Sequence, residues 1–213
     1  MELKGENISF KYQTQKFSSK ENWVLKDLNI SLKSGEVLGL FGDSGSGKST
    51  LCKILAGFNT HYEGNVKLDN QIIKPNKNKG FNPIQLIYQH PEKTMNPKWK
   101  MKQVLDESWD VDDDLLDEFG IQKSWFTRWP NELSGGELQR FSVLRSLNPK
   151  TKFLIADEMT TMLDAITQVQ ILTSVLKIAK TRDMGVLIVS HDKKLLNELC
   201  DNIIYLNDIN NLN

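Results

Sequence analysis

The run Gly42-Asp43-Ser44-Gly45-Ser46-Gly47-Lys48-Ser49-Thr50 constrains this chain more than any other feature, because it fits the pattern GxxxxGK[ST]. It follows Val37-Leu38-Gly39-Leu40-Phe41, a short apolar run of the kind that makes a buried strand, and it opens a helical stretch from Lys48 to about Phe58. Strand, glycine-rich turn and helix are the context such a run requires. The glycines let backbone N–H groups turn inward around phosphate oxygens. The helix offers its N-terminal dipole and unpaired N–H groups to the same anion. Lys48 supplies a point charge to β- and γ-phosphates, and the Ser49 hydroxyl can ligate Mg²⁺.

The rest of the chain supplies a sheet for this turn. In the last third, a strand at Phe153–Ala156 precedes a long helix from about Ala165 to Thr181. A strand at Val186–Ser190 then precedes a helix at Lys193–Leu199, and a last strand runs Asn202–Leu206. Strands alternating with helices imply a parallel sheet covered on both faces. The first third differs. Ile8, Phe10 and Tyr12 alternate with polar residues, Val24 to Leu32 forms a second strand closed by Ser34-Gly35, and a hairpin turns at Asp69-Asn70. Residues 13–22 and 74–82 are polar and predict loops; Ile84 to Tyr88 predicts another buried strand. Residues 100–130 are mostly helical in pattern, and their acidic run Asp110 to Asp114 predicts a solvated helix start.

Composition narrows the function. A length of 213 residues suits one domain, and zero net charge argues against a nucleic-acid binder relying on a broad basic surface. Cys52 and Cys200 lack metal-binding spacing, so both are expected to be reduced, small, buried apolar residues in a cytosolic chain. Met1 to Gly5 lacks the apolar run of a signal peptide, and no stretch is long and apolar enough to span a bilayer. Work at a membrane would require docking onto a partner that spans it.

Two carboxylates, Asp157 and Glu158, end the apolar strand that starts at Phe153. In folds built on a phosphate loop, an Asp at such a strand end helps hold Mg²⁺ through water, and the next carboxylate can orient or deprotonate an attacking water. A third run, Leu133-Ser134-Gly135-Gly136-Glu137-Leu138-Gln139-Arg140, resembles the signature of the ATP-binding cassette (ABC) ATPases. At average residue usage, LSGGE arises by chance in well under about one chain per thousand. Ser134 also suits a helix N-cap, and a capped helix N-terminus attracts phosphate.

Other family features follow in order. Gln89 matches the Q-loop, which in the family senses Mg²⁺ and contacts the membrane partner. Met162-Leu163-Asp164 matches the D-loop, and Asp164 could equally cap the long helix. His191, after Leu187-Ile188-Val189-Ser190, matches the H-loop. Tyr12 sits where the family places an aromatic that stacks on adenine, with Phe10 and Trp23 as alternatives.

The resemblance implies an α/β fold: a P-loop NTPase with a RecA-like core, an N-terminal antiparallel β subdomain and an inserted helical subdomain. Residues 1–213 would form a single ABC ATPase domain, with 1–89 and 150–213 as nucleotide-binding core and about 90–149 as helical signature subdomain. It implies ATP and Mg²⁺, and a head-to-tail homo- or heterodimer. ATP would lie between the phosphate loop of one subunit and Ser134-Gly135-Gly136-Glu137 of the other, with Asp164 nearby. Gln89, Glu158 and His191 would be catalytic; Ser49, Gln89 and Asp157 would serve the metal. Partners would be transmembrane permease subunits and, indirectly, a substrate-binding protein, at the cytoplasmic face of the cell membrane.

Finer details resemble the peptide/nickel importers: Gln89-His90-Pro91 leading to Met95-Asn96-Pro97, Gln139-Arg140-Phe141 with Arg145-Ser146-Leu147, and Met162 to Gln168. The implied cargo is nickel, a metal–metallophore complex or a peptide. Met159 stands where the family commonly has proline, a change a turn should tolerate. Larger members continue beyond the position of Asn213, so neither an iron–sulfur cluster nor a regulatory domain is expected. The alternatives are a soluble, non-transport ABC ATPase, a different P-loop enzyme such as a small-molecule kinase, and a degenerate cassette that only binds ATP.

Overall fold

A computed structural model describes residues 1–12, 23–73, 80–159 and 164–212. The N-terminal strands β1 (Glu2–Lys11) and β2 (Trp23–Lys33) pair antiparallel. Strict alternation breaks once in β2, where the buried residues Leu25 and Leu28 lie three apart. Asp27 takes φ 47, its N–H donates to Ser9 Oγ at 2.8 Å, and the resulting bulge returns Leu28 to the core face. The hairpin β4 (Glu63–Leu68) and β5 (Gln71–Ile72) completes a four-stranded sheet of order β2-β1-β4-β5.

The second sheet is parallel, with order β6-β7-β8-β3-β9. Its strands are β3 (Val37–Phe41), β6 (Ile84–Ile87), β7 (Phe153–Asp157), β8 (Gly185–Ser190) and β9 (Asn202–Tyr205). Every residue of β7 and β8 is buried, which explains why these segments are continuously apolar rather than alternating. Helix α1 (Lys48–Leu55) packs Leu51 and Ile54 into an apolar cluster shared by both sheets. It ends three residues before the expected Phe58. Gly57 takes φ 77 and the Phe58 N–H closes onto Lys53 O at 2.8 Å, a left-handed C-terminal turn.

Between β6 and β7 the expected helical region is mostly short pieces. These are a 3-10 turn at Pro91–Thr94, α2 (Met101–Asp106), α3 (Asp113–Glu118), 3-10 turns at Lys123–Thr127 and Pro130–Glu132, and then α4 (Gly135–Ser146). Pro91, Pro130 and Gly120 interrupt it. Asp112, within the acidic run, caps α3 by accepting from Leu115 N at 2.9 Å. The apolar core of this region runs without a break from Met101, Phe119 and Phe141 into Ile87, Leu154 and Val186 of the parallel sheet.

The C-terminal end of α4 is clamped from several elements. Trp109 Nε1 donates to Leu144 O, Ser108 Oγ to Arg145 O, Thr151 Oγ1 to Ser146 O and Arg182 Nη1 to Leu147 O, at 2.6–3.0 Å. These carbonyls lie at the end of α4, where a helix runs out of internal partners, and Leu144 O also accepts from Leu147 N at 3.2 Å.

Helix α5 (Ala165–Thr181) has the bounds read from the sequence, as does α6 (Lys193–Leu199). A short α7 (Leu206–Ile209) was not expected. After it, Asn210 Oδ1 accepts from Lys26 N at 2.8 Å and its Nδ2 donates to Val24 O at 3.0 Å, while Asn211 N donates to Lys26 O. Cys52 is buried as expected, but Cys200 is only half-buried and its thiol is pushed up to about 12 by burial and then by Asp201. Among the described residues, no helix is long and apolar enough to cross a membrane.

Candidate active site

The parallel strand order brings four separate sequence segments to one edge. Proceeding across the sheet, Gln89 follows β6, Asp157 ends β7 with Glu158 directly after it, His191 follows β8, and the loop from Gly42 to Gly47 follows β3. In open α/β sheets, ligands bind outside these carboxyl ends.

Glu158 is the hub. It sits at φ 47, a backbone conformation uncommon outside glycine, and its N–H donates to Val189 O at 3.1 Å, continuing the β7–β8 ladder. Among its partners in the described residues are three that converge on the carboxylate. Gln89 Nε2 donates to Oε2 at 3.2 Å, His191 Nδ1 lies 3.3 Å from Oε1, and Lys48 Nζ lies 3.8 Å from the same oxygen. His191 is largely exposed, whereas Lys48 is buried.

Lys48 Nζ donates to Gly42 O at 2.7 Å and to Asp43 O at 2.8 Å, so the ammonium lies inside its own loop. Gly47 must be glycine. Its φ is 107, and a Cβ there would come within 3.0 Å of Leu25 Cδ2 and Val24 Cγ1. Among the described residues, no side chain caps the first turn of α1. Asp43, Ser44 and Gly45 are exposed at the loop's rim, Ser46 Oγ is buried with no hydrogen-bond partner among the described residues, and Thr50 is buried. An anion-seeking cradle with an unspent hydroxyl fits a phosphate chain.

Ser49 Oγ donates to Asp157 Oδ1 at 3.1 Å. Burial pushes the Asp157 carboxyl above the usual carboxylate range, although the Ser49 hydrogen bond opposes it. A hydroxyl and a buried carboxylate are hard oxygen donors, and the pair suits a divalent cation such as Mg²⁺.

Of the three candidate aromatics, Phe10 is buried and Trp23 lies beneath Lys11 Nζ, 4.5 Å from the ring centroid. Tyr12 is 61% exposed, packs edge-on against Phe10 at 4.9 Å, and its hydroxyl lies 3.3 Å from Thr50 Oγ1. With Val24, Gly45, Lys48, Gln89 and Glu158 it lines a cleft of about 390 Å³.

The signature run lies in a second cleft of about 510 Å³, with Ser134 exposed and Gly135, Gly136 and Glu137 partly so. Ser134 caps α4: its Oγ accepts from Glu137 N at 3.3 Å, and its own N–H donates to Glu137 Oε2 at 2.6 Å. Asp164 lines the same cleft and caps α5 by accepting from Thr167 N at 3.0 Å. Met162 and Leu163 lie outside the described residues. Arg140, to which the sequence assigned no role in the site, braces the tip from behind by donating to Phe119 O at 2.8 Å. Met159, in the proline position, is buried in the apolar cluster behind Glu158.

The sequence pattern of the ABC transporter family matches residues 25–161. The chain is an ABC transporter ATPase. This ABC ATPase is 33% identical over 215 residues to the nickel import system ATP-binding protein NikE of Staphylococcus aureus, covering 94% of this chain and 87% of the relative. Its fold matches the ATP-binding cassette MJ0796, solved as a dimer bound to ADP and Pi, with a TM-score of 0.80 over 95% of this chain and 93% of that one at 24% identity. It also resembles cbiO1 from Clostridium perfringens, with a TM-score of 0.74, 25% identity, and coverage of 95% and 83%.

Proposed function

We propose that this ATPase hydrolyses MgATP at a composite site shared by two cassettes and thereby drives an importer for nickel, a metal–metallophore complex or peptides. The observation that carries the proposal is the convergence of Lys48, Gln89 and His191 on the Glu158 carboxylate, one residue along the chain from the Asp157 that Ser49 contacts.

In this reading the triphosphate lies over the loop from Gly42 to Thr50, and Tyr12 stacks on adenine. Lys48 exchanges the Gly42 and Asp43 carbonyls for phosphate oxygens. Ser49 and Asp157, with Gln89, hold Mg²⁺, which when bound neutralises charge building on the phosphates. Glu158 accepts a proton as water attacks the γ-phosphorus; the new P–O bond forms, the bond to the β-phosphate oxygen breaks, and ADP and phosphate result. His191 steadies the Glu158 carboxylate and the γ-phosphate. Ser134, Gly135, Gly136 and Glu137 of a second subunit close the other side, with Asp164 at the seam. The exposure of the Ser134 tip supports that role, and MJ0796 is described as dimeric.

Permease docking is supported by a groove of about 570 Å³ that reaches from Gln89 and His90 to Ser142 and Arg145, joining the nucleotide cleft to the helical region of about 90–149. That groove favours a transporter subunit at the cytoplasmic face of the membrane over a soluble, non-transport ATPase. Nickel import rests on the NikE relative. The cargo would touch a binding protein and the permeases rather than this chain.

Glu158→Gln should bind ATP with unchanged affinity while turnover falls by about 100-fold or more; unchanged turnover refutes the assignment. For the cargo, cells carrying the chain with its transport partners should lose radiolabelled nickel uptake on its deletion. Loss of dipeptide uptake alone would redirect the proposal to peptides.

A further inference from the structure

Helix α4 carries a buried polar group that the proposed site leaves unused. Gln139 is fully buried. Its Nε2 lies 3.5 Å from Tyr88 O, at the outer limit of a hydrogen bond, and its Oε1 has no hydrogen-bond partner among the described residues. Further along the helix, Arg145 Nη1 donates to Thr94 O at 3.2 Å and Nη2 pairs with Glu107 at 2.8 Å, while Nε is buried and likewise unpartnered among the described residues. Both side chains reach the segment that carries Gln89.

A half-satisfied buried amide costs stability, and an apolar residue of the same volume would suit the position better if packing were its only task. The place it reaches gives it another. Tyr88 O belongs to the rigid peptide plane that joins Tyr88 to Gln89. Holding that oxygen orients the plane from which the Gln89 side chain extends to donate to Glu158 Oε2 at 3.2 Å.

We infer that Gln139 is a positioning residue for hydrolysis: from the signature helix, it holds the Tyr88–Gln89 peptide so that the Gln89 amide meets the Glu158 carboxylate. The inference rests on the roles proposed for Gln89 and Glu158. Its consequence is mechanical. The helix whose tip faces a second subunit's nucleotide also sets a residue beside its own, so a displacement of α4 at one site is felt at the other. Arg145 holds the far end of the same segment.

The test uses the chain assembled with its transport partners. Gln139→Met conserves volume and removes both polar atoms. It should lower kcat about tenfold, because small misplacements near reacting groups are costly. KM for ATP should stay within about twofold and the melting temperature should hold or rise. In a Gln89→Ala background the same substitution should cost less than about twofold, since its route of action is already gone. An unchanged kcat, or an equal loss in both backgrounds, overturns the inference. Gln139→Leu, read through the same two backgrounds, replaces the Met variant if that one does not fold. Failure of the wild-type assembly to hydrolyse ATP, or full turnover by Glu158→Gln, would sink the underlying roles instead and is distinguishable from either outcome.

Discussion

Helices α1 and α4 both present their N-termini to a site where phosphate would sit, yet they are held in opposite ways. The α1 tip begins at Gly47 with φ 107 and, among the described residues, has no side-chain cap. It is kept in place from behind, by Val24 and Leu25 pressed against the glycine, and its carboxylate neighbour, Asp157, comes buried from another strand. The α4 tip caps itself. Ser134 and Glu137 satisfy one another, and the tip stands in solvent while the far end of its helix is clamped by Ser108, Trp109, Thr151 and Arg182. A tip supported by tertiary packing can leave its N–H groups to a ligand, but it cannot project. A tip supported by local capping, and braced from behind by Arg140, can leave Ser134 exposed toward a second body. The first is suited to hold a nucleotide unaided, the second to complete a site that something else has begun.

This contrast can be broken at either end. The largest effect is expected for Gly47→Ala. The added methyl group meets Val24 and Leu25 and strains a left-handed backbone, so ATP affinity measured by calorimetry on the isolated chain should fall about 100-fold or more; retained affinity would mean the loop does not depend on packing. Ser134→Ala should leave that affinity intact. It should lower turnover of the assembled dimer by about tenfold or more through loss of a transition-state donor, and reduce stability by about 1 kcal/mol through loss of the cap. An equal loss of affinity in the isolated chain would show that the two tips serve one and the same nucleotide.

The smallest effect sharpens the difference in their carboxylates. Because burial raises the folded-state value of Asp157, the nucleotide-free chain binds more protons than the unfolded chain in that window, and its stability falls as pH rises from the ordinary carboxylate range through the raised value. Asp157→Asn should therefore melt above wild type at neutral pH, with the gap closing on acidification in thermal scans. A gap that is constant with pH would mean the carboxylate is not strained by burial.

The two tips also differ in how legible they were. Residues 42–50 and 133–140 are contiguous runs whose chemistry is local, and the α5 boundaries follow from the cap at Asp164, so both tips and that helix could be read from the chain. Gln89 and His191 were named only through the family resemblance, and the hub they form at Glu158 could not be read. Its partners Lys48, Gln89 and His191 lie 110, 69 and 33 positions away, and only the order β6-β7-β8-β3 makes them neighbours. Nor does any local pattern announce that Glu158 adopts φ 47, since the ladder bond to Val189 O that holds it comes from another strand. The region from Pro91 to Glu132 looked more helical than it is, because its apolar residues serve a common core with the parallel sheet while Pro91, Gly120 and Pro130 keep its helices short. Phe10 differs from Tyr12 by its burial and Trp23 by the Lys11 ammonium over its ring, and side-chain type encodes neither.

The hook at Asn210 bears on how this chain avoids its own kind. Strand β2 lies at the margin of the antiparallel sheet, where unpaired N–H and C=O groups would template a stranger's strand. One asparagine amide occupies the Lys26 N–H and the Val24 carbonyl, and the Asn211 N–H takes the Lys26 carbonyl. With those groups taken, the stretch of β2 nearest the phosphate loop is closed to intermolecular β-pairing, and the margin of the sheet that borders the site offers no open ladder at Val24 and Lys26.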